Sequence, residues 1–287
     1  MTVPHMPPLK SMPFSTLTLS IDSEIATLSF NRPEKRNAIS PQMIEELLAA
    51  LDEIEHGAAR VAILTGAGRA FCSGMDLDAL QALAKQSRAH HLRSSGTAGI
   101  APPSEASLED SRRMRHMFHR IYTFSKPLIA AVNGPAIAGG CGIATLCDFT
   151  LAAPEAKFGY TEVRIGFIPA LVSVFLLRQI GEKAARDLLL TGRVIDAAEA
   201  LRIGLVTEVV PAGQLLDRAR QLAAQLMENS PTSIAYIKRL LNDFSQASID
   251  PQLDLALEEN ARIRSTADFR EGLAAFLEKR KPAWHRD

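Results

Sequence analysis

Apolar and polar residues alternate along Leu17-Thr18-Leu19-Ser20 and again along Ile25-Ala26-Thr27-Leu28-Ser29-Phe30, the period of strands that turn one face to a core. Ile21-Asp22-Ser23-Glu24 separates the two runs, so the chain is predicted to open as a hairpin. The period then lengthens. Met43, Ile44, Leu47, Leu48, Leu51 and Ile54 recur at helical spacing and form one apolar stripe. Ser40 offers an N-cap, Pro41 suits the first helical position, and Gly57 closes the helix. Arg60-Val61-Ala62-Ile63-Leu64-Thr65 and Leu128-Ile129-Ala130-Ala131-Val132 show no alternation, as expected of strands buried on both faces. Each runs into a glycine-containing turn and then a helical stretch, the first starting near Leu77 and the second running through Ile143–Leu146. Strand, loop, helix and strand in that order predict parallel pairing with crossover helices, an α/β fold.

Residues 85–112 break the pattern with a polar, Gly/Ser/Pro-rich insertion, read as a lid or a surface loop, and a helix from about Arg112 to Phe124 returns to the apolar strand. Beyond that strand, Cys147–Ala153 and Lys157–Tyr160 are short strand candidates. From Ala170 the pattern is almost wholly helical, over 170–180, 182–191, 196–203, 212–228, 232–244, 251–263 and 266–280, with a short strand at Val206–Val210. Residues 1–14 read as a loose tail, 15–210 as an α/β core and 211–287 as a helical region.

The segment Lys126–Asp148 concentrates candidate chemistry. Its strand ends at Asn133-Gly134-Pro135, and Gly139-Gly140 then lead into a helix. Glycine lets backbone approach a ligand, and the first N–H groups of a helix lack internal acceptors, so this joint suits an anion or a carbonyl oxygen that gains negative charge. Competing readings are a membrane span, which the Asn-Gly-Pro turn and glycines interrupt, and a joint whose glycines serve only packing. Asn31–Asn37 gathers Arg32, Lys35 and Arg36, either a solvated turn or a phosphate contact. Over the 287 residues, 32 basic side chains balance 32 acidic ones, which argues against a nucleic-acid surface. The three cysteines, Cys72, Cys141 and Cys147, have no metal-ligand spacing, so no metal is expected and a reduced, cytoplasmic compartment fits best. Prolines break up the N-terminal stretch where a signal peptide needs an apolar run.

Gly68-Arg69-Ala70-Phe71-Cys72-Ser73-Gly74-Met75-Asp76-Leu77 and Asn133–Cys141 together resemble the crotonase, or enoyl-CoA hydratase/isomerase, superfamily. Asn31–Ala38, Leu190–Arg193, Ala200–Val206 and Phe276–Pro282 are similar to further segments of that family in the same order. The resemblance implies a spiral of short β/α turns with a helical C-terminal region, an acyl-CoA thioester substrate, and chemistry through an enolate. It implies an oxyanion hole from the N–H groups of Met75 and Gly139. Coenzyme A, as part of the substrate, is expected along Arg32, Lys35 and Arg36, with Ala38 and Ala70 near adenine and pantetheine, and Lys279 reaching in from a neighbouring subunit. Asp76, Leu77 and Gly140 are carried over as further substrate-contacting positions. No separate cofactor, nucleic-acid partner or membrane is implied, and a homotrimer or dimer of trimers is expected. The insertion is expected to cover the acyl end of the pocket.

The acid/base pair of the familiar hydratases is incomplete here. Glu162 matches the second glutamate, but Gly142 stands where the first belongs. His90, His91, Glu105, Glu109 and Asp110 in the insertion are the candidates for a replacement acid, and an ion pair with Arg164 is the structural alternative for Glu162. The reading adopted is an enoyl-CoA hydratase of fatty acid metabolism. A single glutamate equally permits a Δ3,Δ2-enoyl-CoA isomerase; hydrolase and decarboxylase activities occur in the superfamily, and a non-catalytic acyl-CoA binder is the alternative outside enzymes.

Overall fold

The computed structural model describes residues 14–76, 78–82, 103–246 and 249–283, with the side chains of 244–246 left aside. The opening hairpin pairs β1 (Leu17–Asp22) with β2 (Ile25–Phe30), Asp22 opposite Ile25. Its turn rests on Ser23 and Glu24, at φ 50° and 64°, the left-handed pair that matches strand twist. Helix α1 (Pro41–His56) starts where the sequence places it, with Ser40 Oγ accepting from Met43 N at 3.2 Å. It buries Met43, Ile44, Leu47, Leu51 and Ile54 of the stripe read from the periodicity and leaves Leu48 half-buried.

β3 (Val61–Gly66) and β4 (Leu128–Val132) are buried at every position, which explains why their sequences do not alternate. The main sheet runs β1-β2-β3-β4-β6-β9, with β6 at Phe149–Ala152 and β9 at Glu208–Val209. All its pairs after the hairpin are parallel. A second sheet joins β5 (Ala136–Ile137), β7 (Lys157–Gly159) and β8 (Val194–Asp196). One face of β3 and β4, through Val61, Ile63, Ile129 and Ala131, packs on Leu215, Ala219 and Ala223 of a later helix, Leu215–Met227.

Helix α2 (Glu105–Tyr122) begins inside the polar stretch rather than near Arg112, with Ser104 capping it through Ser107 N. Residues 85–102 of the insertion lie outside the described residues. The glycine pair opens α3 (Gly139–Leu146), buried throughout. Helix α4 (Ala170–Thr191) is interrupted at Gly181, φ 73°, where the sequence reading divides two helices. The helical region continues through α5 (Ala197–Arg202), α6 (Leu215–Met227), α7 (Pro231–Gln246), α8 (Ile249–Ile263) and α9 (Ala267–Leu277). Helix α8 packs against both α2 and α4, closing the far side of a cavity whose floor is the start of α3. Among the described residues no helix is long and apolar enough to cross a membrane.

Candidate active site

The cavity forms where two loops are zipped together. Residues 72–76 run between the segment ending at Ile39 and the one entering α3. Phe71 and Cys72 N–H donate to Pro135 O at 3.1 and 3.2 Å, and Ile137 N–H donates to Cys72 O at 2.9 Å. On the other side Ile39 N–H donates to Gly74 O at 2.7 Å, and Asp76 N–H donates to Ile39 O at 2.9 Å. Two glycines set the approach. Gly74 has φ +91°, and a Cβ there would meet Ala138 Cβ at 3.0 Å; a Cβ on Gly140 would lie 2.2 Å from Cys72 O. Gly140 therefore serves packing of the helix start and does not line the cavity.

Ala138, the N-cap of α3, holds φ 53° and ψ −127°, a conformation that costs an L-residue on the order of 1–3 kcal/mol. The zipped geometry leaves the N–H groups of Met75 and Gly139 without an acceptor among the described residues. Both residues line a single cavity of about 480 Å³, which Glu162 also lines.

Glu162 opens a 3-10 turn (Glu162–Ile165) ended by left-handed Gly166, φ 67°, whose Cα packs against the backbone of Asp268 so closely that a Cβ would fall 2.4 Å from its carbonyl oxygen. Phe167 N–H donates to Glu162 O at 3.0 Å, fixing the turn. Glu162 is 8% exposed, and its Oε2 is shut off from solvent with no hydrogen-bond partner. The ion pair with Arg164 does not form: among the described residues no cation lies within ion-pair distance of Glu162. Its cavity neighbours include Met114, Phe118, Phe167, Leu171 and Val172. Burial among them pushes its pKa up to about 7.

No second carboxylate lines the cavity beside Glu162 at the position of Gly142. A Cβ on Gly142 would meet Val172 Cγ1 at 2.4 Å and Phe118 Cε1 at 3.2 Å, so a valine from α4 and a phenylalanine from α2 fill that space. Of the candidate replacement acids, Glu105 and Glu109 pair with Arg112, and Asp110 pairs with Arg264. His90 and His91 lie outside the described residues. Asp76 and Glu34 are the other carboxylates on the cavity lining, and Asp76 is held in an ion pair.

The cation loop divides. Asn37, fully buried, donates through Nδ2 to Ala67 O and Ala70 O at 2.9 and 2.8 Å, and its Oδ1 accepts from Arg32 N at 2.9 Å. Arg32 is committed inward, donating to Ala38 O at 2.8 Å and pairing with Asp76 at 2.7 Å. Burial opposes the Asp76 charge, but the Asp78 N–H and the Arg32 guanidinium outweigh it and hold the pKa below its usual value. Lys35 and Arg36 line the cavity instead, Lys35 pairing only with exposed Asp78 at 3.1 Å. Ala38 lines the cavity; Ala70 is buried and off the lining, exposed Lys279 follows α9 off the lining, and Leu77 lies outside the described residues. Sequence reasoning passed over Asn260 and Arg264, which line the cavity from α8 and its C-terminal end. Only their positions in a helical pattern were visible, and nothing in that pattern marks a buried guanidinium.

A family model described as enoyl-CoA hydratase/isomerase matches residues 20–100 and 103–287. A putative enoyl-CoA hydratase of Thermus thermophilus is 43% identical over 259 residues, covering 90% of this chain and 96% of that protein. A short-chain-enoyl-CoA hydratase of Clostridium acetobutylicum is 33% identical, covering 94% and 97%. The crystal structure of an enoyl-CoA hydratase from Mycobacterium avium superposes with a TM-score of 0.80 at 30% identity, covering 94% of this chain and 99% of that one.

Proposed function

This chain belongs to the enoyl-CoA hydratase/isomerase family, and from that premise we propose that it hydrates 2-enoyl-CoA thioesters, with Glu162 as the acid/base group and the N–H groups of Met75 and Gly139 as the oxyanion hole. The observation that carries this reading is one cavity holding a carboxyl with a pKa of about 7 together with two backbone donors that lack acceptors. The thioester oxygen sits between the donors, where charge grows as water adds to C3. Each donor contributes roughly 3–4 kcal/mol to lowering the barrier. Ionised Glu162 takes a proton from the water as its oxygen bonds to C3; the enolate is held at the donors; the carboxyl then returns a proton to C2. Atoms balance as water plus alkene giving the 3-hydroxyacyl thioester. A pKa near the working pH suits one group that both takes and gives a proton.

Val172 and Phe118 in the space beside Gly142 favour one-carboxylate chemistry, and this supports a second reading, Δ3,Δ2-enoyl-CoA isomerisation by Glu162 alone. The two separate when purified protein is given 2-enoyl-CoA and 3-enoyl-CoA in parallel and both products are followed. Formation of 3-hydroxyacyl-CoA from the first supports hydration; interconversion without it supports isomerisation, and neither would refute both.

The phosphates of coenzyme A are assigned to Lys35 and Arg36 at the cavity rim, where long flexible cations meet solvent. Self-association, as a trimer or dimer of trimers, accords with the apolar side chains left exposed on the helical region, Tyr236, Ile237 and Leu240 on α7 and Leu255 on α8.

A further inference from the structure

Apart from Glu162 and the Arg32–Asp76 pair, the cavity is lined by a buried polar cluster that the mechanism does not use. Arg264 is 1% exposed. Its guanidinium donates to Ser107 O at 3.1 Å, to Asp110 Oδ2 at 2.8 Å and to Asn260 Oδ1 at 3.1 Å, and stands 5.6 Å over the Phe167 ring. Ser111 Oγ, fully buried, donates to the same Asn260 Oδ1 at 2.8 Å. A guanidinium has no lone pair to offer, so the amide atom facing it must be the oxygen. That fixes the orientation of Asn260 and turns Nδ2 away from the cluster. Asn260 lines the cavity, and Nδ2 has no acceptor among the described residues.

Helix α2 gives the position of this donor. Ser107, Ser111, Met114 and Phe118 lie on one face of α2. Met114 and Phe118 flank Gly139, at 3.6 and 3.7 Å from where its Cβ would be, just beyond Ile39 at 3.1 Å. Ser111 lies one turn before Met114, about 4.5 Å along the axis, and on the order of 10 Å before Phe118. The Asn260 amide therefore stands one to two turns of α2 away from the residues that flank Gly139.

We propose that Asn260 Nδ2 is a specificity-determining donor for a neutral oxygen, a carbonyl or hydroxyl, carried on the acyl chain of the substrate; this rests on the acyl-CoA reading above. A plain alkyl chain would leave a desolvated N–H donor against hydrocarbon, at a cost that an oxygen acceptor removes. A carboxylate fits less well, because the charge of Arg264 is already matched by Asp110 and an incoming anion would be buried without a free counter-charge. Arg264 and Ser111 are positioning residues that act through the Asn260 oxygen.

Saturated CoA esters bind without reacting, so calorimetric titration of the full-length protein tests the subsite apart from turnover. The probes are hexanoyl-CoA, 6-hydroxyhexanoyl-CoA, 5-oxohexanoyl-CoA and adipyl-CoA. At least one of the two neutral oxygenated esters is expected to bind roughly three- to ten-fold tighter than hexanoyl-CoA, with adipyl-CoA no tighter than hexanoyl-CoA. Asn260→Asp keeps an oxygen toward Arg264 and Ser111 but removes the donor; whatever its absolute affinity, it is expected to lose the preference, read as the ratio of oxygenated-ester to hexanoyl-CoA binding within the variant. Equal binding of all four esters, or tightest binding of adipyl-CoA, overturns the proposal and leaves the proposed function standing. Binding of no ester overturns both. Should Asn260→Asp fail to fold by circular dichroism, the wild-type panel decides alone; should it fold and keep the preference, the assignment to Asn260 is wrong.

Discussion

Replacing Glu162 by glutamine tests the chemistry and the burial of this residue in one protein. Gln keeps the size of the side chain and removes its proton transfer. General acid–base catalysis contributes about 10²–10⁴-fold, so kcat for 2-enoyl-CoA hydration is expected to fall by at least that range with little change in KM. The N–H groups proposed as oxyanion donors are backbone groups and stay in place. Stability should move the other way. Burial raises the folded-state pKa of Glu162 from 4.5 to about 7. Below 4.5 the carboxyl is protonated folded and unfolded, and it costs nothing. As pH rises through 7, the unfolded chain has already released its proton, while the folded chain must release it into an apolar cavity. The difference, 2.5 units from 4.5 to 7, is about 3 kcal/mol of stability lost on the alkaline side. Glutamine carries no such titration. Urea unfolding at pH 4.5 and pH 8.5 should therefore show Glu162→Gln gaining about 3 kcal/mol on wild type between the two. Near-wild-type turnover would falsify the catalytic role, and a stability difference that does not change with pH would refute the buried, unpaired carboxyl.

Gly142→Ala places a methyl 2.4 Å from Val172 Cγ1, and is expected to lower stability by about 1–3 kcal/mol in thermal melts; Val172→Ala in the same chain should recover part of it, and additive losses would show the two sites are not in contact. Lys35→Ala with Arg36→Ala should raise KM for a CoA ester more than it lowers kcat, whereas Arg32→Ala should act chiefly on stability, by roughly 3 kcal/mol, because it strands Asp76 at 3% exposure. Unchanged KM in the first variant, or unchanged melting in the second, contradicts the division of the cation loop. Light scattering at working concentration should give a mass that is a multiple of three chains, and a clean monomer would contradict the assembly.

What the sequence discloses depends on whether a residue's role is local. Strands β3 and β4 are buried on both faces, and their unbroken apolar runs say so; the stripe of α1 is apolar because its partner face is apolar. Helix α2 hides its first two turns for the converse reason. Its inward face there is Ser107 and Ser111, which meet the polar Asn260–Arg264 cluster, so the hydrophobic period that marks a helix is missing although the face is buried. The site divides along the same line. Glu162, and the glycine in place of its partner, are legible because single residue types in a motif carry them. The raised pKa is not, since the apolar walls come from Phe118 and Val172 on other helices. Nor does anything in the letter alanine announce the positive φ of Ala138, at a joint where Gly74 and Gly140 pack closely on their neighbours. Arg32 shows the limit most sharply: composition makes it one of three equal cations, and only the fold, by bringing Asp76 beside it, separates a structural ion pair from the two cations left at the rim.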